Sequence, residues 1–150
     1  MEDALTLQGV QSPAAQFEVG EWPDLNDPSR RSALTPAALK AARRLADRWR
    51  LSVKQIGDLL GGVPSSTWHA WKSSPPPEFG VDQLTRVSLL LGIYTSLQVL
   101  HPGELADSWI ARPNTNPIFR GRTPLQAMID GGIPAMVEVR TLLDGRRGGL

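Results

Sequence analysis

The chain has 150 residues, of which 41% are hydrophobic and 21% are charged, a composition typical of one globular domain with at most a small appendage. The absence of Cys excludes disulfides, thiol catalysis and thiolate metal sites, and only His69 and His101 remain as strong metal ligands. There is no apolar run of about 18 residues and no signal-peptide pattern. We therefore expect a soluble, cytoplasmic protein without a bound metal or a membrane association.

The net charge of +1 hides an uneven distribution along the chain. Residues 1–29 carry a charge of −6, residues 30–72 carry +7, and residues 73–150 are neutral. Clustered Lys and Arg attract phosphate groups, so the middle block is the candidate for contact with nucleic acid.

The first predicted helix follows a polar N-terminal segment. Residues 1–34 mix Pro, Gly, Gln, Ser and acids without an apolar period, which predicts a mostly disordered acidic arm. Thr35 and Pro36 predict the start of the helix, because Thr is a good N-cap and Pro is tolerated at the first helical position. Apolar residues then recur at intervals of three and four: Leu39, Ala42, Ala46 and Trp49.

Residues 51–72 have the pattern of a helix-turn-helix. Ser52 predicts the cap of a short helix over 53–60, which a glycine pair at 61–62 ends, and Ser65 or Ser66 predicts the cap of the next. Gly57 indicates a close crossing of the two helices. The tryptophans are expected in the core rather than on a stacking surface: Trp49, Trp68 and Trp71.

The polar residues of this region predict contact with DNA. Hydroxyl and imidazole groups can bond to base edges or phosphates, and Lys and Arg can neutralise phosphates. The candidate DNA-binding residues are Arg43, Arg44, Lys54, Ser65, Ser66, Thr67, His69 and Lys72. An ordinary helical hairpin with a solvated basic face is the alternative. Because the third helix carries no Arg, Asn or Gln, weak sequence specificity is expected.

The proline run 75–77 predicts the end of the third helix, and a long helix over 81–100 follows it. Apolar residues surround this helix, which indicates burial on several sides, as a central core helix or a dimer contact. A shorter helix is predicted over 104–111.

The remaining elements are also helical. Thr123 and Pro124 predict another helix start, a glycine pair at 131–132 predicts its end, and a last helix follows. No segment has the period of a strand, so the predicted fold class is all-α. The predicted domains are the arm 1–34, a helix-turn-helix and dimerisation region 35–100, and a C-terminal domain 101–150.

Nothing in the sequence indicates catalysis. There is no nucleophile with a recognisable base, no glycine-rich phosphate loop after a strand and no paired carboxylate. We expect a protein that is not an enzyme, with no catalytic residue and no cofactor.

The C-terminal segment carries a family resemblance. The sequence WIARPNTNPIFRGRTPLQAMIDGG at 109–132 closely resembles the toxin-binding domain of Xre/MbcA/ParS-type antitoxins, and VRTLLDGRRGG at 139–149 fits the same pattern. The resemblance covers residues 35–150. It implies an antitoxin of a type II toxin-antitoxin system whose partner is a RES-domain toxin that consumes NAD, by ADP-ribosylation or by degrading it.

The resemblance further implies that the antitoxin occludes the active site of the toxin, forms a homodimer within a toxin-antitoxin hetero-oligomer, and represses its own operon by binding operator DNA. The alternative is a stand-alone helix-turn-helix regulator of transcription whose C-terminal half only dimerises. A small enzyme is a third reading, for which no constellation of residues is present.

The resemblance assigns a set of candidate toxin-binding residues. The asparagines are expected to shape a loop first and to contact the toxin second, while the basic, glycine-rich tail is expected to be flexible and to reach into the toxin's cleft rather than to fray in solvent. The set comprises Asn114, Asn116, Arg120, Arg122, Arg140, Arg146, Arg147, Gly148, Gly149 and Leu150.

Overall fold

The computed structural model describes residues 24–148, and over this range the chain is all-α, as predicted, with no strand. Two short 3₁₀ helices, Trp109–Ala111 and Pro117–Phe119, accompany the α-helices. The α-helices are α1 (Pro28–Arg48), α2 (Val53–Leu59), α3 (Ser65–Ala70), α4 (Val81–Leu100), α5 (Gly103–Ser108) and α6 (Pro124–Arg147).

Helix α1 begins at Pro28, so the predicted start at Thr35 is wrong. The side chain of Asp27 accepts a hydrogen bond from the Ser29 amide and caps the helix, with Pro28 at its first position. Pro36 lies inside the helix, where it removes one amide donor and its ring crowds the carbonyl of the preceding turn. The last residues of the expected arm are therefore helical, whereas residues 1–23 of that arm lie outside the described part of the chain.

Helix α2 starts where the sequence predicts. The Ser52 hydroxyl accepts a hydrogen bond from the Gln55 amide, and the Gln55 side chain accepts one from the Ser52 amide, which satisfies two otherwise unpaired donors. Helix α3 differs from the prediction. Its cap residue is Pro64, and neither Ser65 nor Ser66 caps it with a side chain.

The described residues divide into two compact units, 24–91 and 92–148. The division falls within α4, whose bounds agree with the predicted helix, whereas the domain boundary was predicted after Leu100. Residues on several sides of α4 are buried, as expected: Leu84, Val87, Leu90, Ile93, Tyr94 and Leu97.

The core of the first unit is built on aromatic rings. Trp71 lies between Trp68 and Phe79, with ring centroids 6.1 Å and 5.5 Å away. Trp49, Trp68 and Trp71 are all buried, which confirms their prediction as core residues. Burial of such large apolar surfaces supplies most of the folding free energy.

The second unit is organised by α6. The Thr123 hydroxyl accepts a hydrogen bond from the Gln126 amide and Pro124 follows, as predicted. Gly132 takes a non-helical conformation (φ 64°, ψ −146°) and breaks the helix into two segments. The predicted break is therefore confirmed. The core of the second unit includes Ile110, Phe119, Met128, Met136, Val139 and Leu143.

No helix within the described range is long and apolar enough to cross a membrane.

Candidate functional site

The loop before α6 is shaped by its asparagines. The side chain of Asn114 accepts a hydrogen bond from the Asn116 amide at 2.9 Å, and the side chain of Asn116 accepts one from the Ile118 amide at 3.1 Å. Such contacts fix turns without the help of a sheet or a helix. Both side-chain oxygens therefore serve the fold, in line with the first of the two roles expected for them.

Arg120 and Arg122 differ in their surroundings, although they flank the same glycine. Arg122 donates from Nε to the Phe119 carbonyl at 3.2 Å and from Nη1 to Asp130 at 3.1 Å. Arg120 is exposed and has left-handed backbone geometry (φ 52°, ψ 42°). Arg122 thus holds the loop against α6, while Arg120 projects a guanidinium group toward solvent.

Asp130 is the acidic partner in this arrangement. Gln126 donates a hydrogen bond to one of its oxygens at 2.8 Å and Arg122 donates to the other. The Gln126 hydrogen bond, followed by that of Arg122 and its positive charge, lowers the pKa of Asp130 below its ordinary value of 3.8. The carboxylate is therefore ionised at neutral pH.

An open groove lies beside this loop, with a volume of about 450 Å³. Sequence reasoning found its two arginines but missed the wall that α6 contributes. The proline two residues after the glycine pair was the available signal, since it continues a helix poorly and marks a surface bend. The lining residues are Pro117, Ile118, Arg120, Arg122, Ala127, Gly131, Pro134, Ala135 and Glu138.

The basic end of the chain is more ordered than expected. Helix α6 continues to Arg147 and includes Gly145, so the tail that was expected to be flexible is helical up to Arg147. Arg147 Nη1 donates to Ser96 Oγ at 3.2 Å, and Ser96 donates to Asp144 at 2.8 Å. These bonds tie the last turn of α6 to α4.

Of the other tail candidates, Arg140 forms an ion pair with Asp144 at 3.4 Å, and its guanidinium lies against Gly92, where a side chain would collide with it. Arg146 and Gly148 are exposed. Gly149 and Leu150 lie outside the described residues.

The candidate DNA-binding residues share one unit but not one environment. Arg43 stacks on the Trp68 ring at 5.5 Å, and Lys54 pairs with Asp58 at 3.0 Å while remaining 81% exposed. Arg44 and Thr67 are half-buried. The other exposed members are Ser65, Ser66, His69 and Lys72.

Within residues 24–148, no three His, Asp or Glu side chains lie close enough together to hold a metal ion.

Comparison with known proteins assigns both units. Residues 26–92 match the antitoxin Xre-like helix-turn-helix domain, and residues 96–149 match the antitoxin Xre/MbcA/ParS C-terminal toxin-binding domain. The chain belongs to the Xre/MbcA/ParS family of antitoxins. The antitoxin is also 40% identical over 125 residues to the uncharacterized protein y4oB of Sinorhizobium fredii (strain NBRC 101917 / NGR234), which covers 83% of this chain and 95% of that one. No solved structure matches it.

The family assignment gives each surface a context. The Asn114–Arg122 loop, the groove and the end of α6 all belong to the toxin-binding domain of the antitoxin, so the partner of this half is a toxin. The basic block at 30–72 belongs to the helix-turn-helix domain. The match begins at residue 26, in agreement with the observed start of α1 at Pro28.

Proposed function

We propose that the antitoxin binds a RES-domain toxin that consumes NAD and that its C-terminal residues 146–150 occlude the toxin's active site. The observation that carries this proposal is the exposed basic end of α6, where Arg146 and Arg147 are followed in the sequence by two glycines and Leu150. A guanidinium group can bind acidic side chains of the toxin's cleft through two parallel hydrogen bonds.

The attachment of the last helical turn supports this role. Because Ser96 holds both Asp144 and Arg147, the helix delivers the final residues from a fixed starting point. A fixed starting point reduces the conformational entropy lost on binding, which strengthens binding for the same contacts.

Co-expression tests the proposal directly. The full chain and a variant lacking residues 146–150 are each co-expressed with the product of the adjacent gene, purified through a tag on that partner, and assayed for NAD consumption. We expect the full chain to suppress NAD loss, and the truncated chain to co-purify but to suppress it poorly. Arg112→Ala, which alters an exposed arginine outside α6, is the control and is expected to suppress NAD loss fully.

Two results would contradict different parts of the proposal. Full neutralisation by the truncated chain would show that the tail does not occlude the site. A bound partner without NAD-consuming activity would show that the toxin is not of the RES class.

We also propose that the antitoxin, as a homodimer, represses its own operon. The charge of +7 over residues 30–72 and the exposed polar face of α3 favour contact with operator DNA. Fluorescence anisotropy with the operon's promoter fragment tests this role, and size-exclusion chromatography with light scattering tests the dimer. Equal affinity for promoter and unrelated DNA would argue against operon-specific repression.

A further inference from the structure

The groove in the toxin-binding domain combines apolar walls with an exposed positive charge. Its apolar surface comes from Ile118, two prolines and two alanines, and Ile118 is 36% exposed. A concave surface that combines apolar walls with a few polar groups is typical of binding sites.

The positive charge is available to a partner. Arg122 is engaged by Asp130 and by the Phe119 carbonyl, whereas the Arg120 side chain forms no ion pair or hydrogen bond within the described range and only its backbone amide donates, to the Pro117 carbonyl. Glu138 is the remaining charged lining residue and lies on the second segment of α6. An exposed Arg beside apolar walls favours a carboxylate partner, which it can bind through two parallel hydrogen bonds.

The groove is also preformed. Arg120 occupies left-handed backbone geometry, which a non-glycine residue adopts only where its surroundings enforce it. Here the enforcing contacts are the two asparagine turns and the anchoring of Arg122. The backbone that carries the Arg120 side chain is therefore held in place before a partner binds.

We propose that the groove binds a segment of the toxin that carries a carboxylate next to an apolar side chain. Arg120 pairs with the carboxylate, and the apolar side chain packs against Ile118 and the α6 wall. This inference rests on the proposed binding of a toxin. It adds the groove as a second contact surface, besides the C-terminal tail. The groove contributes affinity and partner selectivity, whereas the tail contributes inhibition.

Isothermal titration calorimetry with the purified toxin tests the groove. Arg120→Asn removes the charge yet suits left-handed geometry, and Ile118→Ser removes the apolar contact at an exposed position. We expect each variant to raise the dissociation constant by about tenfold, with the thermal midpoint unchanged. Rising salt should weaken toxin binding by the wild type more than toxin binding by Arg120→Asn, because only the wild type forms this ion pair with the toxin. Arg112→Asn is the matched control, with an expected change below about twofold.

The outcomes separate this inference from the proposed function. If the wild type does not bind the toxin, both fail. If the wild type binds and the two groove variants bind equally well, the groove assignment alone is overturned. If Arg120→Asn changes the oligomeric state in light scattering but leaves toxin affinity unchanged, the groove is a contact between copies of the antitoxin, which also overturns it.

Discussion

At the scale of single residues, Thr35 shows how burial changes a side chain's role. Its hydroxyl donates to the Arg31 carbonyl at 2.7 Å and accepts from the Phe79 amide at 2.8 Å, and the residue is 1% exposed. Thr35→Val leaves the buried Phe79 amide without an acceptor, and we expect a loss of about 1–3 kcal/mol in the free energy of unfolding. Thr35→Ser, which keeps the hydroxyl, should lose less in urea denaturation. No loss in Thr35→Val would show that the Phe79 amide does not depend on this hydroxyl.

Gly57 is a second residue whose size is decisive. A Cβ at this position would collide with the Val63 carbonyl oxygen. Because that oxygen belongs to the backbone, it can move away only if the turn between α2 and α3 also moves. We expect Gly57→Ala to destabilise the protein by about 1–3 kcal/mol in thermal or urea unfolding. Gly145→Ala is the matched control, because Gly145 is also helical and a Cβ there meets no atom within 4 Å. That control should raise the free energy of unfolding by about 0.5–1 kcal/mol. Similar losses of stability in both variants would refute the steric argument.

Asp130 gives a pH dependence that can be measured at one residue. Because Gln126 and Arg122 lower its pKa in the folded state, its contribution to stability is present above the unfolded value near 3.8 and disappears as the pH falls through the lower folded pKa. We expect NMR titration of the carboxyl group to give a value below 3.8 and Arg122→Ala to raise it. An unchanged value in Arg122→Ala would show that the arginine does not influence this carboxylate.

At the scale of elements, local signals predicted most helix boundaries. The Ser52 and Thr123 starts are correct because each cap is completed by the residue three positions later. The α1 start is wrong because Asp27–Pro28 and Thr35–Pro36 carry the same cap-and-proline signal. Only the burial of Leu34 and Thr35 decides between them, and burial depends on tertiary contacts with Phe79 that the sequence does not reveal.

The tie between α4 and α6 leads to a prediction about the end of the chain. Ser96 is fully buried and bonds to two residues of the last helical turn. Ser96→Ala should lower the free energy of unfolding by about 1 kcal/mol. It should also speed hydrogen exchange of the amides at 144–147, since the turn then loses both of its hydrogen bonds to Ser96 and keeps its helix bonds and the Arg140–Asp144 ion pair. Thr141→Ala, at an exposed α6 position, is the control and should leave this exchange unchanged. Protection equal to wild type in Ser96→Ala would show that the tie does not order the turn.

At the scale of the whole molecule, the distribution of charge and the family pattern could be predicted from the sequence. The sequence could not predict which charged side chains pair within the fold and which remain exposed. The sequence placed nine Lys and Arg residues in 30–72, but only the fold shows that Arg43 is stacked on a tryptophan and Lys54 is paired with Asp58. The same holds for Arg120 and Arg122, which look equivalent in sequence and differ in three dimensions. Pairings between distant residues decide which charges remain for a partner.

The assignment of two surfaces to two compact units predicts that they can be altered separately. Lys72 is exposed in the helix-turn-helix unit and Arg120 is exposed in the toxin-binding unit. Lys72→Glu should weaken promoter binding and reduce the slope of log affinity against log salt by about one, because one phosphate contact is lost. Toxin affinity should not change in this variant, and Arg120→Asn should give the reverse pattern.

A variant that combines Lys72→Glu with Arg120→Asn decides whether the two surfaces act independently. Since the two residues belong to different units, the changes in binding free energy should add to within about 0.5 kcal/mol. Titrating promoter DNA with and without saturating toxin measures the same coupling in the wild type. A toxin-dependent change in DNA affinity would contradict independence, and by thermodynamic linkage DNA would then change toxin affinity by the same factor.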